Sequence, residues 1–372
     1  MKLAAGFAAA LAFAVPAHAA GPPRADARAY VVLDASTGEV LAQHAAHARV
    51  PIASITKLMT VLVALEHVKP ADVVTIRHSA AAVGESSIDL RAGQRLTVHD
   101  LIEGALIQSA NDAAYALAES ASNGDVAAFV REMNAKAEEL GLHDTVFVRP
   151  DGLDAPGERS SAADVTRLAR IAMHKPIVRD VVRKRSDVIA GRRVLHTWND
   201  LLGVFPGVFG VKTGHTDAAG WCEVAAVRRR DTTVYVTILG SPTREQRNAD
   251  LEALLRWGLS RYRVASVIVT GRTYAVAETG WGRPDLALTA ATSVRRAVRI
   301  DRPLVAQIVA SAAVALPVAA GERFGFVRVW QGRRLLGTRP LVARATVRRP
   351  GVTGRIGFYA RRTVKHVWGW LT

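Results

Sequence analysis

One cysteine, Cys222, stands in a sequence of 372 residues. No intramolecular disulfide can form and no cysteine-based metal cluster can be assembled, so the fold has to rest on burial. Within its apolar stretch that lone thiol reads as a small buried hydrophobe. Acidic residues are scarce too, 33 against 49 lysines and arginines, which leaves a formal charge of +16. The excess admits nucleic acid, an anionic membrane or an acidic polymer as partner without choosing among them. Disordered and collagen-like compositions are both excluded by a hydrophobic content of 49% with 22% charged residues.

What is present begins at the N-terminus. Met1-Lys2 is a short positive region, Leu3 to Val15 is apolar and uncharged, and Pro16-Ala17-His18-Ala19 ends in a small-x-small pattern. Residues 1–19 are therefore predicted to be a signal peptide, with the mature chain starting at Ala20. The apolar run falls short of the roughly 20 residues that a membrane-crossing helix needs. Export argues against nucleic acid as partner.

The length exceeds the roughly 250–300 residues at which single cores stop growing, so two domains are expected. Ala29–Asp34 and Glu39–Ala42 flank a Ser36-Thr37-Gly38 turn and read as a hairpin. A helix is predicted from Ser54, with Leu58, Leu62 and Leu65 on one face and a hydroxyl suited to its start. Further helices are expected over 98–108 behind Thr97, 112–121 behind Asn111, 125–140, and 162–173 behind Ser160 and Ser161. Strands return over 208–211, 221–227 and 233–239, followed by a helix ending near Trp257-Gly258. Strand pair, helices, meander and helix together predict an α+β domain over 28–261, an antiparallel sheet with a helical lobe inserted.

Beyond it, 264–270, 286–289, 324–330 and 335–336 read as short strands of a small β-sandwich-like domain over 262–350. In the last segment, 355–372, Ile356, Ala360, Val364, Val367, Trp368 and Leu371 share a helical face, with Arg361, Arg362, Lys365 and His366 opposite. An amphipathic basic helix with tryptophan near its end is the pattern of a membrane-surface anchor, the alternative being a terminal helix docked on the protein.

Three short motifs carry chemistry. Ser54-Ile55-Thr56-Lys57 puts a hydroxyl and an amine three residues apart on one helical face, where they can meet. A serine needs a base to remove its proton, and burial or the positive end of a helix dipole lowers a lysine's pKa toward that task. Ser109-Ala110-Asn111 falls between two predicted helices, where Asn111 could equally be a cap. Lys212-Thr213-Gly214 follows an apolar strand and suits an anionic substrate whose backbone approaches closely; the bland reading is a turn with a surface lysine. Singly each triplet is common, whereas their joint order and placement are improbable by chance.

Together they resemble the Ser-x-x-Lys, Ser-x-Asn, Lys-Thr-Gly signature of β-lactamases and penicillin-binding proteins. Within that superfamily, residues 32–41, 106–114 and 210–216 are similar to the D-alanyl-D-alanine carboxypeptidases. The resemblance implies Ser54 as the nucleophile, acylated by the penultimate D-alanine carbonyl of peptidoglycan stem peptides, and Lys57 as its base. Ser109 would relay a proton to the leaving D-alanine and Asn111 would hold Lys57 and the substrate amide. Lys212 and Thr213 would receive the terminal carboxylate with Arg247, or with Arg244 as the nearby alternative. Gly214 would permit the close approach, and the N–H groups of Ser54 and His215 would form the oxyanion hole. Neither metal nor cofactor is expected. β-Lactam antibiotics are expected as covalent ligands, and the location as the periplasm or the outer face of the cytoplasmic membrane, held there by the C-terminal helix.

The nearest rival is a serine β-lactamase, which resembles this chain in all three motifs but carries a Glu-x-x-x-Asn element after the second. Here Glu158 is followed by Arg159-Ser160-Ser161-Ala162. Slow deacylation is therefore expected, and Lys57 is asked to serve both halves of the reaction. A DD-endopeptidase of the same superfamily and an inert cell-wall-binding protein are the remaining alternatives.

Overall fold

The structure is a computed structural model that describes residues 9–13, 21–190 and 192–371, with side chains described except at 9–13, 361, 362 and 365–371. The chain divides into two compact units, Ala20–Ser260 and a second that joins Arg261–Thr372 to Met1–Ala19.

The first unit is built on a five-stranded antiparallel sheet in the order Val40–His44, Ala29–Asp34, Thr232–Ser241, Gly220–Arg229, Val208–Thr216. All six residues of Ala29–Asp34 are buried, as a strand covered on both faces requires. Successive side chains point to opposite faces of a strand. A Cβ on Gly258 would lie 2.9 Å from Val234, whereas Thr166 and Thr237 share a hydrogen bond of 2.6 Å. Helices Arg244–Ser260 and Ala162–Ala172 therefore cover opposite faces of the sheet.

Between the hairpin and the meander lies the helical lobe. Its centre is helix Lys57–His67, buried at every position from Lys57 to Ala64, and packed against helices Asn111–Ala121, Val126–Glu139 and Ala162–Ala172. A helix buried on all sides belongs in a core, and Lys57 is the one ionisable residue of its buried stretch Lys57–Ala64.

Several helix starts follow the expected capping chemistry. Thr97 and Asp100 form a reciprocal capping box, and the side chains of Asp125 and Ser161 accept from Ala128 N and Asp164 N. Two differ. The helix expected from Ser54 begins as a 3-10 turn, Ala53–Thr56, and becomes α-helical at Lys57 with no side-chain cap. The Ser54 hydroxyl faces the lysine instead of the helix end. Asn111 is the first residue of its helix rather than the cap, because its amide is engaged elsewhere. The 98–108 helix is α-helical over Val98–Glu103 and π-helical over Gly104–Gln108, and it ends on Ser109 in the left-handed region at φ 65°. That widened turn and left-handed stop aim Ser109 into the cleft described below.

In the second unit a six-stranded antiparallel sheet runs in the order Ala9–Phe13, Leu304–Ala310, Arg323–Gln331, Arg334–Ala343, Leu286–Ala290, Thr273–Ala277, beside a ribbon of Tyr262–Ile268 and Val294–Arg299. Four of these strands, Ala9–Phe13, Thr273–Ala277, Val294–Arg299 and Leu304–Ala310, lie outside the strands expected from sequence. Val294–Arg299 holds three arginines, which mask the alternation of a strand. Part of the predicted signal peptide, Ala9–Phe13, pairs with Leu304–Ala310 at the sheet edge; residues 1–8 and 14–19 lie outside the described residues.

Helix Val352–Leu371 closes the unit. The Trp281 ring meets Phe358 at 5.9 Å and Tyr359 at 5.7 Å, and the Arg355 guanidinium lies 5.8 Å from its centre. Ile356, Ala360 and Val364 are exposed. Among the described residues no helix is long and apolar enough to cross a membrane.

The loop 86–90, which forms part of the cleft wall, hangs on one buried acid. Asp112, 1% exposed, accepts from Ser87 Oγ, Ile88 N and Leu90 N. Replacing Asp112 with alanine strands those donors, which is expected to lower unfolding free energy by about 2–4 kcal/mol in urea titration.

Candidate active site

A cleft of about 250 Å³ opens between the helical lobe and the edge strand Val208–Thr216, and Ser54, Ser109, Thr213 and Gly214 line it. Ser54 reaches it because the strand comes into contact with the 3-10 turn. A Cβ on Gly214 would lie 2.7 Å from Ile52 O and 3.1 Å from Ser54 N. Only a glycine allows that approach, which sets the strand's backbone beside the Ser54 N–H. Gly152 plays the matching part on the other flank. It adopts φ 76°, and a Cβ there would lie 2.2 Å from Ala53 O.

Lys57 is fully buried, and its Nζ lies 2.5 Å from Ser54 Oγ, 2.7 Å from Asn111 Oδ1 and 2.8 Å from Asp151 O. Asn111 and the Asp151 carbonyl are acceptors only at those atoms, so they take two N–H groups of the amine. The third position faces the serine hydroxyl. Burial lowers the Lys57 pKa to about 8, against the opposing pull of Asp151, Glu158, Asp112 and Glu85.

Lys212 is buried as well, and its Nζ donates to Ser109 Oγ and to Thr213 O, both at 2.8 Å. Burial, and then the charge of Lys57, push its pKa well below the usual lysine value. The surface-lysine reading of the third motif is thus replaced by a buried amine tied to the second motif. Two hydrogen-bonded groups thus face the cleft, Ser54–Lys57–Asn111 and Ser109–Lys212.

At the far end of the cleft stand two arginines from helix Arg244–Ser260. Arg247 is 1% exposed, donates to Asp200 Oδ2 at 2.9 Å and lies against the Trp221 ring. Arg244 forms a bidentate pair with Asp200 and lies over Trp198. Neither is a solvated helix residue, and both line the cleft. Burial opposes ionisation of Asp200, but hydrogen bonds from Arg244 and Asn248 outweigh it and hold the carboxyl below its ordinary range. The His215 side chain is exposed and packs on the Trp221 ring at 4.0 Å, tilted by 32°.

Several contributors escaped the sequence reading. Asp151 acts through its carbonyl, and its carboxylate is clamped by Arg149 at 3.0 and 2.9 Å; Pro150-Asp151-Gly152 signals a turn but not what that turn touches. Asp200 and Trp198 come from an irregular stretch without a motif. Glu158 accepts from Thr56 Oγ1 at 3.0 Å and lines a second hollow with Ile52 and Asp154. Burial raises its pKa to about 7. Cys222 is fully buried in the strand next to the edge strand, and burial raises its pKa to about 11.

Comparison with known proteins places this geometry. The sequence signature described as D-alanyl-D-alanine carboxypeptidase matches residues 16–243. The D-alanyl-D-alanine carboxypeptidase DacC of Escherichia coli is 30% identical, over 95% of this chain and 93% of that protein. Among solved structures, penicillin-binding protein 5 from Haemophilus influenzae superposes with a TM-score of 0.64 at 25% identity, covering 89% of this chain and all of that one. The Streptomyces K15 DD-transpeptidase superposes at 0.62 with 30% identity over 65% of this chain. With its signature running through more than half of the sequence, the chain belongs to the D-alanyl-D-alanine carboxypeptidase family of low-molecular-mass penicillin-binding proteins.

Proposed function

We propose that Ser54 is the nucleophile of this serine-type D-Ala-D-Ala carboxypeptidase, that Lys57 is its base, and that the enzyme works on peptidoglycan stem peptides outside the cytoplasm. The observation that carries the assignment is the 2.5 Å contact between Ser54 Oγ and a buried amine whose other N–H groups are held by Asn111 and Asp151.

Neutral Lys57 takes the hydroxyl proton as Ser54 Oγ attacks the penultimate D-alanine carbonyl. Negative charge developing on that oxygen is met by the N–H groups of Ser54 and His215. The C–N bond breaks as the departing D-alanine nitrogen receives a proton through Ser109, which Lys212 holds in place. Lys212, Thr213 and Arg247 receive the substrate's terminal carboxylate, and Asn111 orients Lys57 and the substrate amide. Lys57 then activates the water that hydrolyses the acyl-enzyme. A β-lactam enters by the same attack and leaves slowly. Glu158, the acid nearest in sequence to where a lactamase carries its deacylation base, is occupied with Thr56 and Val148 N.

Residues 1–19 act as a cleavable export signal, 28–261 as the catalytic domain, 262–350 as a β domain, and 355–372 as an anchor on the membrane surface. In support of the anchor, Trp281 grips the terminal helix through Arg355 and Phe358 while Ile356, Ala360 and Val364 remain exposed as an apolar face.

Labelled penicillin is expected to form a stable adduct that Ser54→Ala abolishes, with D-alanine release from a pentapeptide falling on the order of 10⁴-fold or more. Equal labelling of the variant refutes the assignment. The base must be neutral to work, so at pH 7 about one tenth of Lys57 is competent, and the acylation rate at saturating substrate is expected to rise with pH and level off above about 8. A pH-independent acylation rate in stopped-flow counts against Lys57. Deletion from Gly357 onward is expected to move the enzyme from the membrane to the soluble fraction with its activity intact; unchanged fractionation removes the anchor.

A further inference from the structure

Trp221 to Val227 forms an apolar run interrupted by one acid, Glu223. Its side chain is fully buried, and neither carboxyl oxygen accepts a hydrogen bond. An isolated carboxylate in such a place costs several kcal/mol unless it is paired, or unless it keeps its proton. The nearest cation is Arg247, whose Nε lies 3.3 Å from Glu223 Oε2. Across the sheet Glu223 sits in register with Thr213, so it lies beneath the end of the cleft assigned to the substrate carboxylate.

The charged groups around it are few. Arg247 and Arg244 come from the helix above, Asp200 from the preceding loop and Lys212 from the neighbouring strand. Asp200, held ionised by Arg244 and Asn248, offsets one of the two arginines. With burial disfavouring the ammonium form of Lys212, one positive charge remains from the arginines, which matches one incoming carboxylate. An ionised Glu223 would cancel it from behind.

We propose that Glu223 is a proton-controlled positioning residue for the carboxylate pocket: Arg247 is available to the substrate's terminal carboxylate only while Glu223 is protonated, so binding takes a proton up onto Glu223. The inference rests on the carboxypeptidase reading above and deepens it. No bond to substrate is involved; one proton passes from buffer to a side-chain oxygen. Burial, opposed chiefly by Arg247, raises the Glu223 pKa to about 7, so the control operates near neutral pH. Below that value the group is neutral and affinity is full. Above it ionisation competes with the ligand, and affinity falls by up to about tenfold per pH unit.

The test uses the full-length Ser54→Ala protein, which binds without turnover, and a blocked tripeptide ending in D-alanyl-D-alanine. Its Kd is measured by calorimetry between pH 5.5 and 8.5, in two buffers of different ionisation heat. We expect Kd to be flat at low pH and to rise through neutrality, with net proton uptake at pH 7.5. Adding Glu223→Gln, which keeps shape but holds no titratable proton, is expected to flatten the profile and remove the uptake. His215, Lys57 and Lys212 are present in both proteins and drop out of the difference. A flat profile without uptake in the Ser54→Ala protein overturns the proposal and does not require the second variant to fold. So does an unchanged slope in the double variant. Failure to bind the peptide at any pH is the distinct result that brings down the carboxypeptidase reading itself.

Discussion

Everything in the catalytic unit is arranged around a lysine amine kept out of water. Burial disfavours the charged form of Lys57 and leaves the nitrogen needing partners that only the protein can supply. They come from three separate stretches: the 3-10 turn at Ser54, the helix beginning at Asn111 and the loop at Asp151. Two close backbone approaches, at Gly152 and Gly214, hold the Ser54 turn between its neighbours. A side chain at either place would push apart the segments that the amine joins.

The second buried amine extends the same logic. Lys57 lies near enough to Lys212 to disfavour a second charge there, so burial and repulsion act together on Lys212. Ser109, with its backbone in the left-handed region, accepts from Lys212 Nζ through its hydroxyl. At the opposite end, Arg244, Arg247 and Asp200 form a patch where charges are paired, while burial suppresses the charge of Glu223 beneath them.

Much of this was legible in the sequence because local rules and tertiary roles coincided. The hairpin at Gly38, the capped helices after Asp125 and Ser161 and the strand meander all announce themselves through short-range chemistry. The three triplets stood out through their joint spacing. What stayed hidden depends on contacts across the chain. Ser54 and Asn111 look like helix caps, and only the packing of Gly214 and Asp151 shows why neither caps anything. A carbonyl such as that of Asp151 has no sequence signature. Glu223 interrupts an apolar run that would otherwise read as plain core, and the arginines of Val294–Arg299 hide a strand whose buried positions are Val294, Ala297 and Val298.

The order in which the chain supplies its hydrogen-bond partners has a kinetic side. Ser54 and Lys57 are neighbours, but Asn111 and Asp151 lie 54 and 94 residues beyond the lysine, and Lys212 joins Ser109 across a further 103. Contacts so remote form late, after the loops between them have closed. The dry setting of the Lys57 amine is therefore complete only once both Asn111 and Asp151 have been brought to it, so its lowered pKa is a property of the finished fold and not of the local Ser-x-x-Lys turn.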